Sequence, residues 1–278
     1  MKHAKTIITV GSVVLTAVLL LSATEAKPKA EKTATFVTYN VLADMDHAKT
    51  RVPALLKIIG DCDADVIAMQ EVAPWFIREL VKTDWFKKYH VTKSGDKIIC
   101  PRGLLILSKQ PITSPEFGLL PSRQRRAYLI VETKIRGLKF KIATCHLDSY
   151  LKEGAVRAVQ LDVFFKKLKS HENALFLGDF NFGDNEQPET KHIDKNYTYL
   201  WSKVNAGKKG YTWNIEKSEM ARKGSFPKEK SRRLDRILIK SKRVKPISAN
   251  ILGDKPLKGK ANIFPSDHFG LHGKVAIE

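Results

Sequence analysis

Short apolar runs recur along this chain, and several of them stop on polar residues. Ala174-Leu175-Phe176-Leu177 is too short for a helix and is bounded by Gly178, which predicts a strand buried on both faces with Asp179 and Asn181 at its end. Residues 35–40 are β-branched and aromatic and end on Asn40, while residues 65–71 form a second apolar strand ending on Gln70 and Glu71. Weaker strands are predicted near 89–91, 103–107, 126–133 and 138–145, the last running on into His146 and Asp148; residues 233–239 add another that carries Asp235. Helical spacing marks 53–59, 75–81 and 153–169, where Val156, Val159, Val163, Phe164 and Leu168 recur at helical intervals and Lys166, Lys167 and Lys169 fall in the last turn. Residues 181–196 and 217–232 read as polar surface loops, and a short strand closes the chain after Leu271. Several strands follow one another without a helix between them, so a mixed-sheet α/β arrangement is expected rather than a purely parallel one.

Composition narrows the partners. Lys and Arg number 49 against 29 Asp and Glu, and a formal net charge of +20 calls for a polyanion: nucleic acid, an anionic membrane surface or a phosphorylated substrate. At the N-terminus Lys2 and Lys5 precede an apolar run over 6–23 and small residues ending at Ala26, the layout of a secretory signal. The expected organisation is therefore a signal peptide 1–26, a linker 27–33 and a catalytic domain 34–278, with the product secreted or periplasmic and without stable membrane insertion after cleavage. The alternative is a retained anchor, because an 18-residue apolar run is just long enough to span. Cys62, Cys100 and Cys145 are too far apart for a zinc site and allow at most one disulfide; Cys145 reads as a buried small hydrophobe.

The candidate chemistry lies at the strand ends. Asn40, Glu71, His146 with Asp148, Asp179 with Asn181, and Asp267 with His268 suggest a common rim where a site is assembled. Oxygen ligands such as Glu71 and Asn40 favour Mg²⁺, or Mn²⁺, over zinc. Ser266-Asp267-His268 suggests a serine triad on paper, but consecutive residues on an extended chain point to opposite faces. The basic segment 217–245 brackets Asp235, and Arg222, Lys223, Lys228 and Lys230 are its candidates for contacts to a nucleic-acid backbone.

Thr38-Tyr39-Asn40, Gln70-Glu71-Val72, His146-Leu147-Asp148, Gly178-Asp179-Phe180-Asn181 and Ser266-Asp267-His268 occur in an order that resembles the endonuclease/exonuclease/phosphatase superfamily of metal-dependent phosphoesterases. Within it, His146-Leu147-Asp148-Ser149, Tyr211-Thr212-Trp213, Arg233-Leu234-Asp235-Arg236-Ile237 and Phe264 to Leu271 look most like the tyrosyl-DNA phosphodiesterase 2 type. Tyr39, Asp148, Phe180 and Phe269 depart from that type, and Asn40-Val41-Leu42-Ala43-Asp44 looks more like the deadenylase branch. The resemblance implies an α/β, four-layer αββα sandwich with two mixed sheets face to face and the site at one edge. It further implies that Glu71 binds Mg²⁺ with support from Asn40 and, through water, Asp267. Asp179 would orient and deprotonate a water, Asn181 would position the phosphate, and His146 and His268 would stabilise phosphoryl charge, with Asp235 holding one imidazole. Ser149 and Trp213 join the substrate-binding set. The expected activity is an exported Mg²⁺-dependent phosphodiesterase acting on DNA or smaller phosphoesters, as a nuclease or a tyrosyl-DNA phosphodiesterase-like enzyme; the alternatives are a phospholipid or sphingomyelin phosphodiesterase and a non-catalytic binding module.

Overall fold

The computed structural model describes Met1 and residues 32–278. The expected signal segment and most of the linker lie outside the described residues; Lys32 and Thr33, assigned to the linker, already belong to the first strand. In chain order the elements are β1 (Lys32–Asn40), α1 (Ala48–Asp61), β2 (Val66–Gln70), α2 (Pro74–Leu80), β3 (His90–Val91), β4 (Lys93–Ser94), β5 (Lys97–Ile98), β6 (Leu105–Ser108), β7 (Thr113–Leu119), β8 (Ala127–Ile135) and β9 (Leu138–His146). There follow α3 (Gly154–Leu168), β10 (Ala174–Asp179), β11 (Thr198–Tyr199), α4 (Leu200–Val204), α5 (Glu219–Gly224), β12 (Asp235–Lys240), β13 (Val244–Leu252) and β14 (Gly270–Ile277).

Two six-stranded mixed sheets result, ordered β13-β14-β1-β2-β6-β3 and β11-β12-β10-β9-β8-β7. Among the described residues only β1 with β2 and β9 with β10 pair in parallel. Between the sheets lie Ala34 and Phe36 of β1, Val66 and Ala68 of β2, Phe140 and Ile142 of β9, Leu175 and Leu177 of β10, and Ile237 and Ile239 of β12. The other faces of these strands are covered by helices. Val37, Tyr39, Ile67 and Met69 meet Leu55, Leu56 and Ile59 of α1 and Phe76 of α2, while Phe176 and Ala143 meet Leu161, Phe164 and Leu168 of α3. Phe164 stacks on Phe176 at 4.5 Å, and each such fully buried ring contributes about 1.5–3 kcal/mol. The order of layers is therefore helix, sheet, sheet, helix.

Because side chains alternate along a strand, each inter-sheet apolar series can be followed to its end. Ala34 and Phe36 lead to Thr38 and Asn40; Val66 and Ala68 lead to Gln70; Phe140 and Ile142 lead to Thr144 and His146; Leu175 and Leu177 lead to Asp179. Core thus grades into polar chemistry at one end of the sandwich. The transition layer is satisfied internally: Gln70 Nε2 donates to Thr38 Oγ1 (3.2 Å) and, across to the other sheet, to Thr144 Oγ1 (3.1 Å). Register completes the layout, since His146, Asp179 and Asp235 stand directly opposite one another on three neighbouring strands.

Gly178 is read from sequence as the point where the strand turns, but it lies inside β10. Its φ is +152°, and a Cβ there would come 2.3 Å from the carbonyl oxygen of Cys145 on β9. Glycine is required for the close approach of the two strands that carry Asp179 and His146. Gly178→Ala is expected to lower unfolding stability by about 3 kcal/mol, at the upper end for an overpacked core site. Urea denaturation checks this, and an unchanged midpoint would show that the strands part without cost.

Candidate active site

Asp179 is fully buried at the centre of the rim. Its Oδ1 accepts the backbone N–H of Asn181 (2.9 Å), and its Oδ2 accepts Asn40 Nδ2 (3.0 Å) and faces the Nε2 atoms of His146 (3.4 Å) and His268 (3.7 Å). Burial alone would favour the protonated acid; the two imidazoles, Asn40 and Asn181 reverse this and hold the carboxyl below its usual range. Asp179 is therefore ionised at neutral pH and available to take a proton.

The two histidines have opposite surroundings. Arg126 Nη1 lies 3.0 Å from His146 Nδ1, and because a guanidinium only donates, Nδ1 must accept and the ring proton sits on Nε2, facing Asp179. Burial and then the Arg126 charge push His146 down to about 4, so it is a neutral donor at pH 7. His268 Nδ1 instead lies 2.8 Å from Asp235 Oδ2. Burial opposes its charge, but Asp235 and Asp179 outweigh burial and hold His268 well above the ordinary imidazole value. It is an imidazolium, and the Trp213 ring lies 5.0 Å from it. Thr212, beside Trp213, receives the N–H of Asp235 on its Oγ1 (3.0 Å), and its carbonyl receives the N–H of Phe269 (2.7 Å), which fixes both partners of the Asp235–His268 pair.

Glu71 follows β2 with a left-handed φ of 60° and accepts Asn40 Nδ2 on Oε1 (3.1 Å) and the Ala43 N–H on Oε2 (3.0 Å). Asn40, expected to support a metal, accepts the Leu42 N–H on its oxygen (3.1 Å), which keeps a second lone pair, while its amide nitrogen bridges Glu71 and Asp179. Asp267 is pushed up to about 6, first by burial and then, despite the opposing charge of His268, by Glu71. Two carboxyls that disfavour each other's charge, neither with a Lys or Arg ion pair among the described residues, form a hard-oxygen donor set that fits a divalent cation. Asp179, Asp235 and His268 also offer ligand atoms within 4.8 Å of one another, a group that could hold a metal. Both ring nitrogens of His268 already face carboxylates, which makes Glu71 and Asp267 the better-matched pair.

Ser149 and Trp213 line the cleft together with Glu71, His146, Asp179, Asn181 and Asp267. Ser149 Oγ accepts Arg126 Nη2 (2.9 Å), and Asn181 spends one amide N–H on the Leu147 carbonyl (3.0 Å), leaving the other for a ligand. Asp148 does not share the direction of His146: β9 ends at His146, and the buried Asp148 carboxylate accepts from Ser122, the Arg123 N–H and Gln160. Ser266 donates to the Asn40 carbonyl (2.7 Å), so its hydroxyl serves the loop and forms no triad. The basic loop does hang beside the cleft, but it lines the cleft through Gly224, Phe226 and Glu229. Arg222 and Lys223 pair with Glu219 on α5, and Lys228 and Lys230 are exposed outside the cleft. Sequence reasoning missed Arg126, whose only signal is its place in the run Arg123-Gln124-Arg125-Arg126. It also missed Arg51, which is fully buried and donates to the carbonyls of Val41, Leu42, Asp44, Asp46 and Pro265, tying the Asn40 loop to the Asp267 loop.

The sequence model of the Endonuclease/Exonuclease/phosphatase family matches residues 37–268, from β1 to His268. The chain belongs to this family. Among curated relatives, tyrosyl-DNA phosphodiesterase 2 of Rattus norvegicus is 26% identical over 247 residues, covering 86% of this chain and 66% of the relative. The Homo sapiens protein of that name is 26% identical over 245 residues, covering 84% and 66%. The chain thus spans just under two thirds of the length of these relatives. The crystal structure of D. rerio TDP2 complexed with single strand DNA product superposes with a TM-score of 0.74 at 22% identity, covering 88% of this chain and 99% of that one. An endonuclease/exonuclease/phosphatase family protein from Bacteroides thetaiotaomicron gives 0.66 at 17%, covering 89% and 99%. These likenesses establish the family's sandwich fold.

Asp267 generates a pH expectation. Its folded pKa lies above the unfolded value, so between about pH 4 and 6 the native state keeps a proton that the unfolded state has lost, and this group lowers stability as pH rises through that window. A bound cation offsets the resulting charge. Mg²⁺ should therefore raise the melting temperature more at pH 7 than at pH 5, with affinity about tenfold weaker at pH 5. Calorimetry with wild type and Asp267→Asn checks this, and equal Mg²⁺ shifts at both pH values would contradict it.

Proposed function

We propose that this chain is a divalent-metal-dependent phosphodiesterase acting on DNA, as a nuclease or a tyrosyl-DNA phosphodiesterase-like enzyme. The observation that carries the reading is the convergence in one cleft of an ionised Asp179, a neutral His146, a charged His268 and the Glu71–Asp267 pair, on a family fold shared with a relative complexed with a DNA product. Asp179 orients the attacking water and accepts its proton, over a distance set by Asn40 and the Asn181 N–H. His146 Nε2–H and the His268 imidazolium donate to the phosphoryl oxygens as charge builds there, and the free N–H of Asn181 positions the phosphate. Asp235 keeps His268 oriented and protonated, and Arg126 does the corresponding work of keeping His146 neutral. Glu71 and Asp267 would hold Mg²⁺ or Mn²⁺, which when bound supplies Lewis-acid stabilisation of the phosphoryl charge. The Glu71–Asp267 pair, the family match and the hard-oxygen donors support Mg²⁺; the order of charge, apolar run and small residues over 1–26 supports export, which N-terminal sequencing of protein from its host checks.

Purified protein with Mg²⁺ is expected to hydrolyse 5′-tyrosyl DNA or single-stranded DNA in preference to sphingomyelin, and to stop with EDTA. Asp179→Asn and His268→Ala should each lower turnover by roughly a hundredfold or more with circular dichroism unchanged. Full activity in folded Asp179→Asn protein would refute the assignment, and turnover of sphingomyelin alone would move the substrate from nucleic acid to lipid.

A further inference from the structure

The end of the sandwich away from the cleft carries its own concentration of charge. It is built from the β8–β9 turn, the C-terminus of α3 and the β12–β13 turn. The nine residues of β9 put Leu138 roughly 25 Å from His146, so a phosphate held in the cleft does not touch this end. Lys134 and Lys139 stand directly opposite each other on β8 and β9, a like-charge pair that works against the sheet. Lys141 and Lys240 flank Ala174 from either side at the start of β10. Lys240 Nζ donates to the carbonyls of Leu168 (3.0 Å) and Lys169 (3.1 Å), which places Lys169 beside them, and Lys242 follows in the next turn. Glu132 is shared between Lys139 (2.6 Å) and Lys141 (3.4 Å), and Asp65 holds Arg136. Exposed Glu172 adds one more carboxylate and Glu278, beside Arg243 and paired with Lys245, another, but Lys134, Lys169 and Lys242 are exposed and have no ion pair among the described residues.

The chain also enters at this end. Lys32, the first residue of β1, pairs with Ile277, which pairs on its other side with Val244 next to the β12–β13 turn. In the sequence, the eight residues 24–31 separate Lys32 from the apolar run 6–23, and within them Lys27 and Lys29 are matched by Glu25 and Glu31. We propose that this lysine-rich end docks on an anionic lipid surface, with the catalytic cleft facing away from it. Lysines beside an apolar segment are attracted to anionic headgroups, and the attraction fades beyond a Debye length. The docking is electrostatic, so it holds whether the apolar run is kept or removed, and it does not depend on which phosphodiester is hydrolysed.

The test compares binding of the full chain to phosphatidylcholine vesicles with and without phosphatidylglycerol, since the apolar run contributes to both. Wild type should prefer the anionic vesicles by at least about tenfold at low salt and lose the preference at high salt. Lys134→Ser, Lys139→Ser, Lys169→Ser and Lys242→Ser combined should abolish the preference while hydrolysis of bis(p-nitrophenyl) phosphate stays unchanged. Changing Arg222, Lys223, Lys228 and Lys230 to Ser instead should leave it intact. The proposal is overturned if wild type shows no preference, if the first variant keeps it, if both variants lose it equally, or if the first variant loses duplex DNA binding while vesicle binding is unaltered.

Discussion

A carboxylate with no exposure to water must find its solvation inside the protein, and Asp179 sets that demand on the rest of this structure. The groups that meet it come from elements far apart in sequence: Asn40 from the end of β1, His146 from the end of β9, the Asn181 N–H from the residues after β10, and His268 from the approach to β14. They converge only if the two sheets stack with their strand ends level. The inter-sheet Gln70 bridge secures that stacking directly beneath the site, and within one sheet the close approach at Gly178 sets the strand of Asp179 against that of His146. Fold and function are therefore coupled through one buried charge.

The same constraint explains why two histidines that look alike in the sequence are chemically different. Arg126 sits against one and Asp235 against the other, so burial is reinforced at His146 and overcome at His268. One ring offers a neutral N–H at an unchanging position; the other brings a positive charge. Neighbours, rather than the histidines themselves, assign these parts, and both neighbours are themselves fixed by further bonds: Arg126 to Gln124 and Ser149, Asp235 to Thr212.

Much of this was legible from the pattern of residues alone. The series ending in Asn40, Glu71, His146 and Asp179 could be found because these strands are buried on both faces toward their ends, so a polar residue there breaks an apolar run, and Asp235 stands out in the same way at the start of β12. The αββα layering and the family followed from those motifs and were confirmed. What escaped has physical reasons. β7 and β13 are edge strands, the first largely exposed and the second mostly half-buried, and Pro246 sits at a register shift in β13, so neither forms a continuous apolar run. Arg126 and Arg51 act through burial against particular acceptors, and sequence cannot tell a buried arginine from the many exposed ones in so basic a chain. Asp148 was misplaced because the strand ends two residues earlier than an extended reading assumes.

The central claim is the division of charge across Asp179, and it is tested most directly by nitrogen-15 NMR of the imidazole rings in folded protein at pH 7. The account requires His146 as the neutral tautomer protonated at Nε2 and His268 protonated at both nitrogens. A neutral His268, or a His146 protonated at Nδ1, would contradict it.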